Sequence, residues 1–403
     1  MTRSKRIYRI LYMIYIFRYF SYAALGFCLV IFTFGFTQRK KRVAFQKKAH
    51  REFFCQPNVP EWMMSQIGED LSSYQEGISS QSIDLAMKDY AEFSPNNSLE
   101  LARCRIRNGE VFVIGPCSFK MTQFRFDAVC QALRSLSCLT FLPDADFLIC
   151  VGDSLHEQGS LLFKKYNVPV FTFAKSEKDS TSILIPDCEA LLESCYEKVL
   201  SDTSEGRRSF PWSRKEEKMF WRGATTGVDA SLCNNQLDFN NYQEFPRVKL
   251  VFLSAQYPHL IDAKFTILAQ IIDPRVFDLL APCVSKSVPV TQHLKYKYQI
   301  LIDGNTCAYS RAYWQLFSDC LMFKQTSPNI QWYYRSLLPY VHYVPVAYDL
   351  SDLTEKIKWA REHDEEAFKI VQNANDFAQK NLKKQDVYFY LYLLLKEYAK
   401  LQN

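Results

Sequence analysis

Two kinds of hydrophobic pattern alternate along this chain. The first is the short, unbroken apolar run closed by turn residues. Phe147-Leu148-Ile149-Cys150-Val151 is the clearest, and Gly152-Asp153-Ser154-Leu155 ends it. Runs at 168–173, 182–186, 298–302 and 321–323 have the same character. Such runs are expected of strands buried on both faces, as in parallel sheets. The second kind is helical spacing. Apolar residues recur at i, i+3 and i+4 over 124–136, from Ser310 through Tyr313, Trp314 and Phe317, and over 350–361, 365–381 and 387–400. Residues 99–106 and 110–114 flank Asn108-Gly109, which predicts a hairpin. Residues 343–346 predict a strand, while 248–255 and 265–272 fit either helix or strand. Residues 51–97 are mixed and predict no element beyond the turn Ser94-Pro95-Asn96-Asn97. Asn96-Asn97-Ser98 would be a glycosylation sequon in a secretory compartment and otherwise only a loop.

Strands separated by helical pieces predict Rossmann-like α/β layers. The polar stretch 201–218 reads as a linker between two such layers. No internal repeat is visible. Residues 19–37 carry no charge and lie between Arg18 and Arg39, about the length a bilayer-spanning helix needs. A membrane anchor over 1–48 is therefore expected, against a signal peptide or an interfacial helix. Arg39, Lys40, Lys41, Arg42, Lys47, Lys48 and Arg51 follow the span, so the positive-inside rule puts the catalytic portion in the cytoplasm.

At 403 residues the chain suits two domains, and 48% hydrophobic residues supply large cores. The net charge of +6 is mild and gathers near the N-terminus, which does not point to nucleic acid. The 13 cysteines show neither C-x-x-C pairs nor zinc spacing, so a reducing compartment is expected.

Chemistry gathers at three places. In residues 295–324, a strand, the turn Asp303-Gly304-Asn305 and a helix opening with Ser310-Arg311 make a general recipe for holding a phosphate. An ordinary turn with one exposed arginine has the same spacing. Gly152-Asp153-Ser154-Leu155 spells the esterase signature, but that chemistry needs an orienting acid and a base. None of His259, His293, His342 or His363 has an Asp three residues earlier, as a late Asp-x-x-His would require. Asp144-Ala145-Asp146 has the form of a metal-binding D-x-D, yet it follows Pro143 and precedes the best strand, so it reads as a turn. No cluster of His, Cys or carboxylates predicts a metal. Trp314, Trp332, Tyr333, Tyr334 and His342 read as core or interface residues.

Lys295-Tyr296-Lys297-Tyr298, the Gly304 loop, Ser310-Arg311 and the aromatic helix together resemble the donor site of glycosyltransferase family 90. That family includes capsule-associated and lipopolysaccharide-modifying proteins and animal protein O-glucosyltransferases. Phe220-Trp221-Arg222-Gly223, Pro246-Arg247 and the run from Tyr340 to Val346 before Asp349-Leu350-Ser351 match in the same order, so the resemblance covers roughly residue 141 onward. It implies a GT-B-like fold with two Rossmann-like domains facing a cleft: an acceptor domain at 49–205 and a nucleotide-sugar domain at 206–403 with closing C-terminal helices. It implies an inverting, metal-independent enzyme. The sugar, of glucose or xylose type, would pass from a UDP-sugar to a glycan or glycolipid such as a lipopolysaccharide core. No cofactor is implied. Asp153 matches the catalytic base. Arg247 and Arg311 match the diphosphate contacts, and Thr306, Cys307, Ala308, Tyr309 and Ser310 the nucleotide cradle. Arg222, with Thr225 after it, would support the site from below. The family's usual basic residue before the base is here Gly152. The rivals are a protein O-glucosyl- or xylosyltransferase of a secretory lumen, a GDSL-type esterase, and an inactive α/β binding protein. The chain ends Lys400-Leu401-Gln402-Asn403 rather than in a retrieval signal, which weighs against the lumen.

Overall fold

The computed structural model describes residues 59–93, 100–114, 120–227 and 236–402. One compact unit, residues 57–137 and 142–403, holds both sheets; the second is residues 1–56 with 138–141. The expected anchor at 1–48 lies outside the described residues, as does the sequon at 96–98. Among the described residues no helix is long and apolar enough to cross a membrane.

The first half of the chain contributes β1 (Leu101–Arg107), β2 (Glu110–Ile114), β3 (Ala145–Cys150), β4 (Val170–Thr172), the short β5 (Lys175–Ser176) and β6 (Ser182–Leu184). Five of these form a sheet in the order β2-β1-β3-β4-β6. β3, β4 and β6 run parallel, and the antiparallel β1 and β2 extend that core on one side. The hairpin forms because Asn108 and Gly109 take φ values of 53° and 74°, the two positive angles that a tight two-residue turn needs.

The second sheet comprises β7 (Glu216–Ala224), β8 (Ile261–Ile267), β9 (Tyr296–Leu301), β10 (Leu321–Gln325) and β12 (Val344–Val346), in the order β12-β10-β9-β7-β8. Every pair in it is parallel. Tyr298, Ile300, Leu321 and Phe323 are fully buried, which explains why these strands read as unbroken apolar runs. The fold is therefore mixed α/β with parallel sheets. A small antiparallel pair, β5 with β11 (Asn329–Ile330), ties the two halves together.

The C-terminal helix Lys384–Ala399 follows the second sheet in sequence but packs on the first. Tyr398 stands edge-on to Phe147 and Phe171, with ring centroids 6.0 and 5.1 Å away. Its hydroxyl donates to the Asp146 carbonyl at 3.1 Å, and that of Tyr390 to the Leu184 carbonyl at 3.2 Å. Tyr390 also packs against Trp332, whose ring meets Trp62. These aromatic residues bury large areas and hold the two halves against one another.

The structure departs from the sequence expectations in three places. Residues 61–71 and 80–93 form the helices Glu61–Leu71 and Ser80–Phe93. The inner face of the first mixes Met63, Ile67 and Leu71 with buried Gln66 and Asp70. Asp70 takes Lys175 Nζ at 2.6 Å and the Leu184 N–H at 2.9 Å, so a buried ion pair interrupts the apolar stripe. Half of the expected linker at 201–218 is the end of helix Glu193–Ser209, which buries only Tyr196, Thr203 and Gly206 and so shows little amphipathic signal, and its last residues begin β7.

The third departure is Asp146, which lies inside β3 rather than in a turn. Arg103 Nε and Nη2 donate to its two oxygens at 2.7 and 2.8 Å, and Arg105 Nε adds a bond at 3.0 Å. Burial works to raise this carboxyl's pKa, but the bonds from Arg103 and Arg105 outweigh it and hold it below the ordinary value. Asp144 instead accepts the Asn108 N–H at 2.8 Å and braces the hairpin. The two halves of the D-x-D thus do separate structural work. Among the described residues no group of three or more His, Cys, Asp or Glu could hold a metal ion.

Asp146→Ala would leave the buried Arg103 paired with the exposed Asp84 alone, and we expect a loss of about 3–5 kcal/mol, measured by chemical denaturation. The folded pKa lies below the unfolded one, so this contribution is present at neutral pH and is lost as pH falls through the folded value. A loss under about 1 kcal/mol, the size of an exposed ion pair, would show that the cluster is not a buried network.

Candidate active site

The C-terminal ends of parallel strands are where open α/β sheets bind ligands. At the end of β7, alternation puts Trp221 and Gly223 on one face and Phe220 and Arg222 on the other. Arg222 Nη1 pairs with Asp262 of β8 at 2.8 Å, and its guanidinium lies 4.1 Å from the Phe220 ring centroid. The Arg222 side chain is thereby committed to the sheet, while its carbonyl accepts Arg311 Nη2 at 2.7 Å. The Thr225 hydroxyl bonds both the carbonyl and the N–H of Ala269 at 2.6 Å, pinning the segment after β8.

Arg247 is the second residue of helix Pro246–Gln256, and proline at the first helical position fixes where that helix starts. Its guanidinium reaches across two strand-end loops. Nε donates to the Asp303 carbonyl at 2.7 Å and Nη2 to the Ile302 carbonyl at 3.3 Å. Nη1 donates to Thr226 Oγ1 at 2.8 Å and to the Ala224 carbonyl at 3.2 Å. Gly304 permits the approach, since a Cβ there would stand 3.0 Å from Arg247 Nη2. Arg311 enters from helix Tyr309–Phe317, and its Nη1 is buried without a hydrogen-bond partner. Both guanidinium carbons lie near the Trp221 ring centroid, at 5.6 and 5.9 Å.

Neither arginine makes a direct ion pair with a described carboxylate, but the Asp303 and Asp153 charges act on Arg247 from farther off and oppose part of its shift. Burial, with the Arg311 charge added to it, pushes Arg247 down to about 9; burial pushes Arg311 down to about 10. His293 lies edge-on to Phe220 and Trp314, and burial followed by the Arg311 charge brings it down to about 3, so it is neutral. Cations drawn out of water without a directly paired carboxylate are costly, and two side by side are more so. The arrangement suits an anion that takes several charge-assisted bonds at once.

Asp153 follows β3 in the first half, yet its partners come from both halves. Arg125 Nη2 donates to Oδ1 at 2.7 Å and Asn305 Nδ2 to Oδ2 at 2.9 Å. Thr306 Oγ1, at 3.3 Å, and the Tyr309 hydroxyl donate to the Asp153 carbonyl. The Asp153 side chain keeps 38% of its surface exposed, so the carboxylate remains reachable. Glu100 lies close by. A Cβ at position 152 would run into its carboxyl group, so a larger residue before Asp153 would displace the Glu100 side chain. Burial and then the Asp153 charge push the Glu100 pKa up, against the pull of Arg125.

The nucleotide-cradle residues meet these groups in different ways. Thr306 and Tyr309 face Asp153, Cys307 is buried, and Ala308 caps the helix without a side-chain bond. The Ser310 N–H donates to Glu189 Oε2 at 2.9 Å, so one N–H of the helix start is taken by the protein itself. Arg125, Glu100 and Asn305 were not singled out in the sequence. Helical spacing could not say which way Arg125 points, and Asn305 carried only a turn signal. As for Ser154, the histidine nearest it in the chain, His156, bonds the Gly159 N–H at 3.1 Å and the Tyr90 hydroxyl at 3.0 Å. Both ring nitrogens are occupied, which leaves His156 no free nitrogen to serve the esterase reading.

Residues 56–403 match the family described as Glycosyl transferase family 90. The chain belongs to that family. It is 31% identical over 342 residues to Protein O-glucosyltransferase 2 of Danio rerio, covering 84% of this chain and 62% of that protein. It is 31% identical over 278 residues to Protein O-glucosyltransferase 3 of Homo sapiens, covering 68% of this chain and 50% of that one. The chain thus spans between half and two-thirds of these relatives. The structure of Anabaena HepE in complex with UDP-glucose overlaps 70% of this chain and 68% of that one, with a TM-score of 0.35 and 11% identity.

In this family 90 chain the two arginines should cost stability when no ligand is bound. Arg311→Met removes a half-buried charge whose Nη1 is buried without a partner, and it relieves Arg247. We expect the ligand-free protein to gain about 1 kcal/mol, read from the urea midpoint. A loss of that size instead would mark Arg311 as a structural residue.

Proposed function

We propose that the chain is an inverting, metal-independent glycosyltransferase that moves a glucose-type sugar from a UDP-sugar to a protein hydroxyl. The observation that carries this reading is the pair of guanidinium groups, buried Arg247 and half-buried Arg311, set without a directly paired carboxylate beside the loop that grips Asp153. A departing nucleoside diphosphate brings the negative charge this pair lacks. Asp153 takes the proton of the acceptor hydroxyl as that oxygen attacks the anomeric carbon. The bond from that carbon to the diphosphate oxygen breaks, its electrons leave with UDP, and the configuration inverts. Thr306, Cys307, Ala308, Tyr309 and Ser310 line the nucleotide side. Arg222 and Thr225 act one layer back, through the carbonyl that holds Arg311 and the segment that follows β8.

In this reading the arrangement is GT-B-like, with residues 49–205 taking the acceptor and 206–403 the donor. The names of the relatives support a protein acceptor over the glycolipid expected from the sequence. Membrane attachment through residues 1–48 stays part of the proposal and rests on the charge and hydrophobicity pattern.

UDP-glucose hydrolysis tests the core of this reading without requiring a known acceptor. Asp153→Asn should keep UDP affinity and lose about 10²-fold or more in turnover, as expected when a general base is removed. Arg311→Ala should weaken UDP binding by about 1.5–3 kcal/mol, and Arg311→Lys should recover only part of that. Parental UDP binding in both Arg311 variants would move the nucleotide site elsewhere, and full turnover in Asp153→Asn would remove the base.

Turnover should also survive EDTA, because the arginines carry the leaving-group charge. Activity lost to chelation and restored by manganese would hand that role to a metal.

A further inference from the structure

The grip on Asp153 goes beyond what a general base needs merely to be present. Each carboxylate oxygen takes one donor, and the donors come from opposite halves: Arg125 from helix Lys120–Leu139, Asn305 from the loop after β9. Arg125 is itself held, by Nη1 to the Val151 carbonyl at 3.3 Å and by the Tyr309 ring, whose centroid lies 5.7 Å from its guanidinium carbon. Two donors on two oxygens fix the rotation of a carboxylate, and they leave lone-pair sites for an incoming hydroxyl.

The same loop is held at its other end by the donor site. Arg247 bonds the carbonyls of Ile302 and Asp303, and two residues further on Asn305 bonds Asp153. The amide oxygen of Asn305 is buried and has no partner, so the side chain makes one strong bond there, to the carboxylate. Anything that draws on the Arg247 guanidinium draws on the backbone that carries Asn305.

We infer that Arg125 and Asn305 are the positioning pair for Asp153, and that Asn305 couples donor occupancy to the orientation of the base. The inference rests on the proposed donor site. It assigns Arg125 a constant role, since its hydrogen bonds to Val151 and Asp153 lie within the first half, while its ring contact with Tyr309 crosses to the second. It assigns Asn305 a conditional one: a diphosphate that takes bonds from Arg247 loosens the 302–303 carbonyls and resets Asn305 against Asp153. The acceptor hydroxyl then meets an aligned base only when donor is present. Direct coupling of this kind needs no large movement, because a misplacement of about 1 Å at a reacting group already costs about 10²-fold in rate.

The test uses the full chain, with UDP affinity from thermal shift and kcat and KM from UDP-glucose hydrolysis. Asn305→Ala should bind UDP within about threefold of the parent and lose about 10²-fold in kcat with little change in KM, the mark of a misaligned reacting group. Arg125→Gln should lose kcat likewise, and Arg125→Lys should regain part of it, because a single N–H donor can still reach Oδ1. A purely structural role would lower kcat and thermal stability together and would not be rescued by lysine. Asn305→Ala turning over like a UDP-binding, active parent would overturn the coupling alone. A parent that binds no UDP would overturn both the coupling and the glycosyltransferase reading.

Discussion

The bonds of Arg247 are the constraint on which the rest of the site depends. One guanidinium joins Ala224 and Thr226, after β7, to Ile302 and Asp303, after β9. Those two strands neighbour each other in the sheet, so their ends would be close in any case. Arg247 sets their spacing, and Gly304 allows it. Carbonyl dipoles stabilise the cation only in part, and burial with the neighbouring Arg311 still pushes its pKa down to about 9. The loops are thus shaped around a charge that Asp303 and Asp153 offset only from a distance. Structures accept that strain where a ligand supplies the missing counter-charge.

The second dependence runs between the halves. The loop that Arg247 shapes reaches Asp153 through Asn305, Thr306 and Tyr309. Glu189 of the first half takes the N–H at the start of the helix that bears Arg311. Behind these contacts, helix Lys384–Ala399 lays Tyr390 and Tyr398 on the first sheet, and β5 pairs with β11. A few polar bonds at the mouth are therefore backed by a large aromatic contact, which is why bonds of modest individual strength can hold a defined geometry.

Much of the fold was legible because it depends on short-range rules. Fully buried parallel strands must be apolar on both faces, so β3, β9 and β10 announced themselves. The Asn108-Gly109 turn was legible because few residue pairs take two positive φ angles. Helix Glu61–Leu71 was not, because Asp70 on its inner face is paired with Lys175, more than a hundred residues away. Asp146 was misjudged for the same reason: its partners are Arg103 and Arg105, on another strand.

The site divides along the same line. The sequence by itself determined which residue types stand around these turns: Asp153 after one apolar run, Arg247 after a proline and before a run that fits helix or strand, Arg311 past a glycine loop. It also determined the family, since those motifs keep their order. Only the tertiary structure decided which charges are neutralised. Arg222 finds Asp262 on the adjacent strand, while Arg311, with the same chemistry and at the same site, pairs with no carboxylate among the described residues. Only the tertiary structure brought Arg125, Glu100 and Asn305 to Asp153. Periodicity reports the burial of each residue in its own element, but a charge such as Asp70 or Asp153 takes its role from a partner more than a hundred residues away, and that pairing exists only once the chain has folded.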